Sequence, residues 1–219
     1  MALSSGTKHS MRVGLASDGA AAEIAAAIDA NTAAVAADAA SVGAGAKAGA
    51  TVSAAEAGDE VLHRTTLTLT STPITMVDED GVIAYGGVKI YDFPKGAIQI
   101  LGAVVDLDVT KSGNGINADF DGDCALGTTV ATNANNALAG TEADILASFA
   151  TNQAVNGVAA VEGQGCSLVN ASLNGTATAQ GMYLNFLIDD DDHNIGTTAA
   201  SLLASGTVTV HWINLGDIA

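Results

Sequence analysis

From residue 64 onward the chain alternates between apolar and polar positions. In RTTLTLT (64–70), Leu67 and Leu69 fall on one face of a strand and the threonines on the other, because successive strand side chains point to opposite faces. The stretch AIQILGAVVDLDVT (97–110) carries the strongest pattern of this kind. Ile98 and Ile100 share a face, the pattern slips near Gly102, and Val105, Leu107 and Val109 then point inward while Asp106 and Asp108 point to water. A slip at a glycine predicts a bulge or a bend there.

Two further long strands are expected over 182–189 and 206–215. In the second, Val208, Val210 and Trp212 share one face, and Thr207, Thr209 and His211 the other. Shorter strands are expected at 74–77, 82–85, 88–91, 116–120 and 173–177. Turn dipeptides fall among them at Asp80-Gly81, Asn114-Gly115, Asn156-Gly157 and Asn174-Gly175. One short helix is expected over 141–149, with Thr141 as its cap. About eight strands without alternating helices point to a mainly β protein, an antiparallel sandwich of jelly-roll type.

The first 60 residues obey a different pattern. They hold none of the eight aromatic residues and are dominated by alanine. Residues 1–19 show no sustained period and read as extended. Residues 20–42 favour a helix, since alanine has the best intrinsic propensity, and Gly43 and Gly45 are suitable stops. Ile28, Val35 and Val42 recur every seven residues with Ile24 four before Ile28, the spacing of one coiled-coil seam. Asn31 and Asp38 occupy the other seam position. Residues 43–60 read as a linker to a β-sandwich domain over 61–219. So little side-chain bulk buries too little apolar surface to hold a lone helix in place. The arm is therefore expected to gain order from a partner; an alanine-rich tether without a defined partner is the plainer alternative.

Composition narrows the function classes. The net charge is −17, with three basic and seven acidic residues in 1–60 and four and seventeen in 61–219. Phosphate backbones and anionic membrane surfaces would repel such a body, so neither nucleic acid nor membrane is expected as a partner. The mean hydropathy of +0.34 owes much to alanine. The longest strongly apolar run, 97–105, falls well short of the roughly 20 residues a spanning helix needs. Lys8 and Arg12 are followed by no apolar core of a secretory signal, so use without export is expected. Cys124 and Cys166 stand far apart without metal-type spacing and read as free thiols, a single disulfide being the alternative.

Candidate chemistry is sparse. Asp119, Asp121 and Asp123 could converge on Ca²⁺, but the glycine falls one position after the second Asp and Val130 stands where an EF-hand has Glu. A solvated acidic loop is the reading adopted. The run 189–193, DDDDH, reads as a charged strand end that keeps an edge soluble. No Gly-x-Ser-x-Gly is present, and His9, His63, His193 and His211 lie in no catalytic motif. Gly86-Gly87 is read as lying between strands and lacks a following Lys-Ser/Thr. Carboxylate pairs for glycoside hydrolysis are geometric rather than sequential, and the few aromatics argue against a sugar-cleaving cleft. No enzyme activity, cofactor or metal is expected.

The segment LTLTSTPITMVDEDGVIAYGGVKIYDFPKGAIQILGAVVDLDVTKSGNGINADFDGDCALGTTVA (67–131), with YLNFLIDDDDH (183–193) and GTVTVHWINLG (206–216), resembles head-associated virion proteins of tailed bacteriophages. The resemblance implies a capsid decoration or cement protein, a homotrimer on the virion surface with the major capsid protein as partner. It also implies that the arm reaches neighbouring subunits. On that reading Leu3, Val13 and Leu15 are anchors and Lys8 and Arg12 pair with acidic shell residues. Ile24, Ile28, Val35 and Val42 pack on a neighbour or about a three-fold axis. A fibre-type adhesin that binds host glycan through Trp212 or Tyr183, and a surface-layer subunit, are the alternatives.

Overall fold

In a computed structural model of the chain, residues 45–58, 61–79, 83–132, 137–166, 172–175, 180–188 and 200–216 are described. The chain divides into two units at Val42 and Gly43, and every described residue lies in the second. Eleven strands run as β1 (Ala46–Lys47), β2 (Val52–Gly58), β3 (Leu62–Glu79), β4 (Ile83–Asp92), β5 (Gly96–Ser112), β6 (Gly122–Gly127), β7 (Leu146–Ala150), β8 (Val158–Gly165), β9 (Ser172–Gly175), β10 (Gly181–Ile188) and β11 (Ala200–Asn214). The described helical structure is a single 3₁₀ turn, Gly140–Glu142.

Neighbouring strands follow the order β7-β6-β10-β4-β3-β11-β5-β8, with β1 added to β4, β2 to β3 and β9 to β5. All these pairings are antiparallel. Long β3 belongs to both halves. From His63 to Leu69 it lies between β2 and β11, and its last three residues pair with β4. The two ends of the path approach each other: the Asn152 N–H donates to the Ala160 carbonyl at 3.3 Å. Phe149 of β7 covers Gly163 of β8, where a Cβ would stand 2.4 Å from the ring. The sheet thus rolls into a nearly closed, barrel-like sandwich, mainly β as the alternation implies.

The inward rows are those that the sequence period selects. Leu67, Leu69, Ile98, Ile100, Val105, Leu107, Val109, Val208, Val210 and Trp212 all lie in one core. Asp106, Asp108 and His211 face water. The slip near Gly102 is a bulge: His211 pairs with Gly102 and Trp212 with Ile100, so Leu101 has no opposite residue. Asn156 and Gly157 have φ of 55° and 82°, the two left-handed positions of a type I′ turn, between the bridged Val155 and Val158.

Several expected elements differ. The presumed linker 43–60 carries β1 and β2, because Val52 can be buried against the sheet and β2 finds an unshared edge of β3. Thr65 lies on the leucine face of β3, fully buried, since its hydroxyl has partners there. Gly86-Gly87 lies inside β4 rather than between strands. The threonine-capped helix over 141–149 is replaced by the 3₁₀ turn and β7, because Glu142 and Asp144 turn inward as hydrogen-bond acceptors. Residues 116–120 form a loop anchored by buried Ile116 and Phe120, and Asn174-Gly175 lies within β9 rather than in a turn. Asn114-Gly115 sits in the long β5–β6 connection, where Gly113 takes the left-handed φ of 91°. The helix over 20–42 and the turn Asp80-Gly81 lie outside the described residues.

Candidate functional site

The chemistry of the described body gathers at the corner where β1 and β2 join it. Here β3 and β4 have diverged, β1 pairs with the end of β4, and β2 pairs with the start of β3. A directed chain of hydrogen bonds fills the space between them. The Trp212 Nε1–H donates to Thr65 Oγ1 at 2.8 Å, and the Thr65 hydroxyl donates to Glu56 at 2.9 Å. The Tyr91 hydroxyl also donates to Glu56 and accepts the Gly45 N–H at 2.8 Å. Every donor points toward one carboxylate, an arrangement in which successive bonds polarise each other.

Aromatic rings enclose this chain. His63 stacks on Trp212 with centroids 4.0 Å apart and 9° between planes. Phe93 meets Trp212 and Tyr91 edge to face at 5.4 and 5.2 Å. Burial raises the Tyr91 pKa well above its ordinary value, and the bond to Glu56 adds to the shift. The phenol therefore stays protonated and serves as a donor. Gly45 is required at the entry, because a Cβ there would stand 2.2 Å from the Asp92 carbonyl.

A second polar cluster lies on the far face of β10, beneath the arch between β6 and β7. Asn185 accepts the Ala131 N–H at 2.9 Å and donates to the carbonyls of Thr129 and Glu142 at 2.9 and 2.8 Å. Glu142 accepts the N–H and hydroxyl of Thr132, and Asp144 those of Thr128. Gly87 makes room for Asn185, since a Cβ there would stand 2.2 Å from its Oδ1. A small apolar group, Ile83, Ala125, Ala131, Leu138, Ala143 and Leu187, packs under the same arch.

Burial raises the Asp144 pKa, against the lowering effect of its bonds from Thr128. A carboxyl with a raised folded pKa contributes stability below its unfolded pKa and loses it as pH rises through the folded value. Asp144→Asn keeps an acceptor for the Thr128 N–H and carries no charge. Its urea midpoint relative to the parent is expected to be more favourable at about pH 8 than at about pH 4. An unchanged difference between the two conditions would refute this reading of the site.

The residues assigned from sequence to partner binding, Leu3, Lys8, Arg12, Val13, Leu15, Ile24, Ile28, Val35 and Val42, lie outside the described residues, as do His9 and the run 189–193. Asp119 is exposed in a turn, Asp121 and Asp123 are half-buried, and buried Phe120 holds the loop in the core. Among the described residues no three His, Cys, Asp or Glu side chains gather as metal ligands. Both cysteines are free thiols. Cys124 is fully buried, and burial with Asp123 beside it pushes its pKa far up, which leaves it unreactive. His63, which lies in no catalytic motif, is part of the aromatic corner. The two strands flanking that corner, β1 and β2, carried no hydrophobic period that could announce them. Compared with known protein families and curated proteins, the chain matches none of them.

Proposed function

We propose that the protein is a bacteriophage capsid decoration or cement protein: a β body that sits on the outside of the shell, with residues 1–42 contacting capsid or neighbouring subunits. The observation that supports this is the way the body holds its N-terminal end. A cement protein works mechanically, adding buried interface across seams that internal pressure pulls apart. Force on its leader must reach the core without peeling the chain away. At Gly45 the chain is gripped by the Tyr91 hydroxyl, and β1 then pairs with β4 and β2 with β3. A pull from the N-terminal side therefore loads two ladders and the hydrogen-bonded chain to Trp212 together.

The sequence resemblance over 67–131, 183–193 and 206–216 supports the same reading, and the acidic composition suits a surface that stays solvated after assembly. On this reading the body is a homotrimer and the major capsid protein is its partner. An interface of standard size, about 1,600 Å² in total, suffices for specific attachment, and three linked copies gain through effective concentration. Cryo-EM of purified particles should show the protein at regular positions on the shell. Deleting residues 1–42 is expected to abolish attachment and lower the temperature at which heads release DNA. Particles that lack the protein, or heads unaffected by the deletion, would sink the proposal.

A further inference from the structure

Natural sheets protect an unpaired edge with lysine, proline, a bulge or a covering element. Strand β2 has no lysine, proline or bulge, and among the described residues no element covers it from Ser53 to Gly58. Its sequence is VSAAEAG, its pairing with β3 shows no register shift, and residues 53–58 are exposed. Its one charge is committed, since Glu56 accepts bonds from Tyr91 and Thr65.

The parity of β2 decides which groups stand free. The Thr70 N–H donates to the Thr51 carbonyl. In an antiparallel ladder, hydrogen-bonded and non-bonded pairs alternate. With the register Ser53 to Thr68 and Ala55 to Thr66, residues 53, 55 and 57 bond to β3. The backbone groups of Ala54, Glu56 and Gly58 point away from it into the open, whereas Val52 is buried.

We infer that β2 is a self-association edge: two copies of this chain pair β2 against β2, antiparallel, about a two-fold axis through Ala55. That register matches the exposed Ala54 of each copy with the exposed Glu56 of the other, so the outward N–H and carbonyl groups of these residues meet partners. An axis through Ala54 would set Glu56 against the buried Val52, and an axis through Glu56 sets the two Glu56 residues opposite each other. The Ala55 axis places each Glu56 against an alanine and avoids a like-charge pair. The small side chains of Ser53, Ala55 and Ala57 leave the outer face unobstructed. A contact this short buries less than a standard interface of about 1,600 Å², so the pairing is weak and concentration-dependent.

This inference stands on β2 alone and is independent of any attachment to a capsid. Residues facing across the axis form a non-hydrogen-bonded pair with Cα atoms about 4.5 Å apart, within the span of a disulfide. The test uses the full chain with Cys166→Ser, to which Ala55→Cys or Ala57→Cys is added. Under mild oxidation Ala55→Cys is expected to form a disulfide-linked dimer at least about tenfold faster than Ala57→Cys, whose register partner is Ser53. Adding Ala54→Pro removes an outward N–H while leaving the β3 ladder intact. It should abolish the cross-link without altering the far-ultraviolet circular dichroism. Equal rates for the two cysteine variants, or a cross-link that survives Ala54→Pro in a folded chain, would overturn the proposal.

Discussion

Replacing Trp212 by alanine is expected to cost about 3–5 kcal/mol of folding stability, among the largest losses any single side chain of this body can produce. Trp212 is fully buried and packed between His63 and Phe93. Truncation leaves a cavity that two stiff rings and a paired backbone cannot collapse to fill. The hydrogen bond to Thr65 is lost as well, though Thr65 still donates to Glu56 and is not orphaned. Trp212→Phe helps to separate the two contributions, because it keeps a six-membered ring in the site while removing the fused pyrrole ring and its N–H donor. Its cost should be about 1–2 kcal/mol. Trp212 is the sole tryptophan, so urea unfolding of both variants must be followed by circular dichroism. A loss below about 1 kcal/mol for Trp212→Ala would mean that the corner is not the packed anchor described above.

Asn185→Leu is expected to be comparably severe for a different reason. Leucine is close in size, so packing changes little, but three backbone groups lose their partner: the Ala131 N–H and the Glu142 carbonyl, whose bonds are buried, and the Thr129 carbonyl, whose bond is partly buried. Each group left unsatisfied costs about 1–3 kcal/mol, so a total of about 3–5 kcal/mol is expected where the arch stays closed. Hydrogen exchange separates this from general destabilisation. The Ala131 amide should lose protection by at least about tenfold more than amides in β11. Equal loss at both places would show that Asn185 does not pin the arch.

The long strands were legible because one face of each meets the core, so burial writes its period into the chain: Leu67 and Leu69, or Val208, Val210 and Trp212. Even the bulge at Leu101 could be read, since a missing alternation beside glycine leaves a slip in the pattern. Strand β2 could not be read. All but one of its residues are exposed, so no hydrophobic period marks VSAAEAG, and it is a strand only because β3 offers an edge. The helix expected over 141–149 failed through tertiary override, since Glu142 and Asp144 satisfy backbone N–H groups of the 128–132 segment rather than solvent. Of the candidate site, Trp212 was visible as an inward residue. Its partners Thr65, Tyr91, Glu56 and His63 come from three other strands, and nothing in their local spacing joins them. Chemistry assembled across a corner leaves no linear motif.

One strand of 18 residues, β3, passes from one half of the sandwich into the other. No cut between strands divides the body into two independently stable pieces, because each half would have to surrender part of the same backbone. Denaturation should therefore be all-or-none across the described strands, without a half-melted intermediate, and damage near Glu79 would be felt at Leu62.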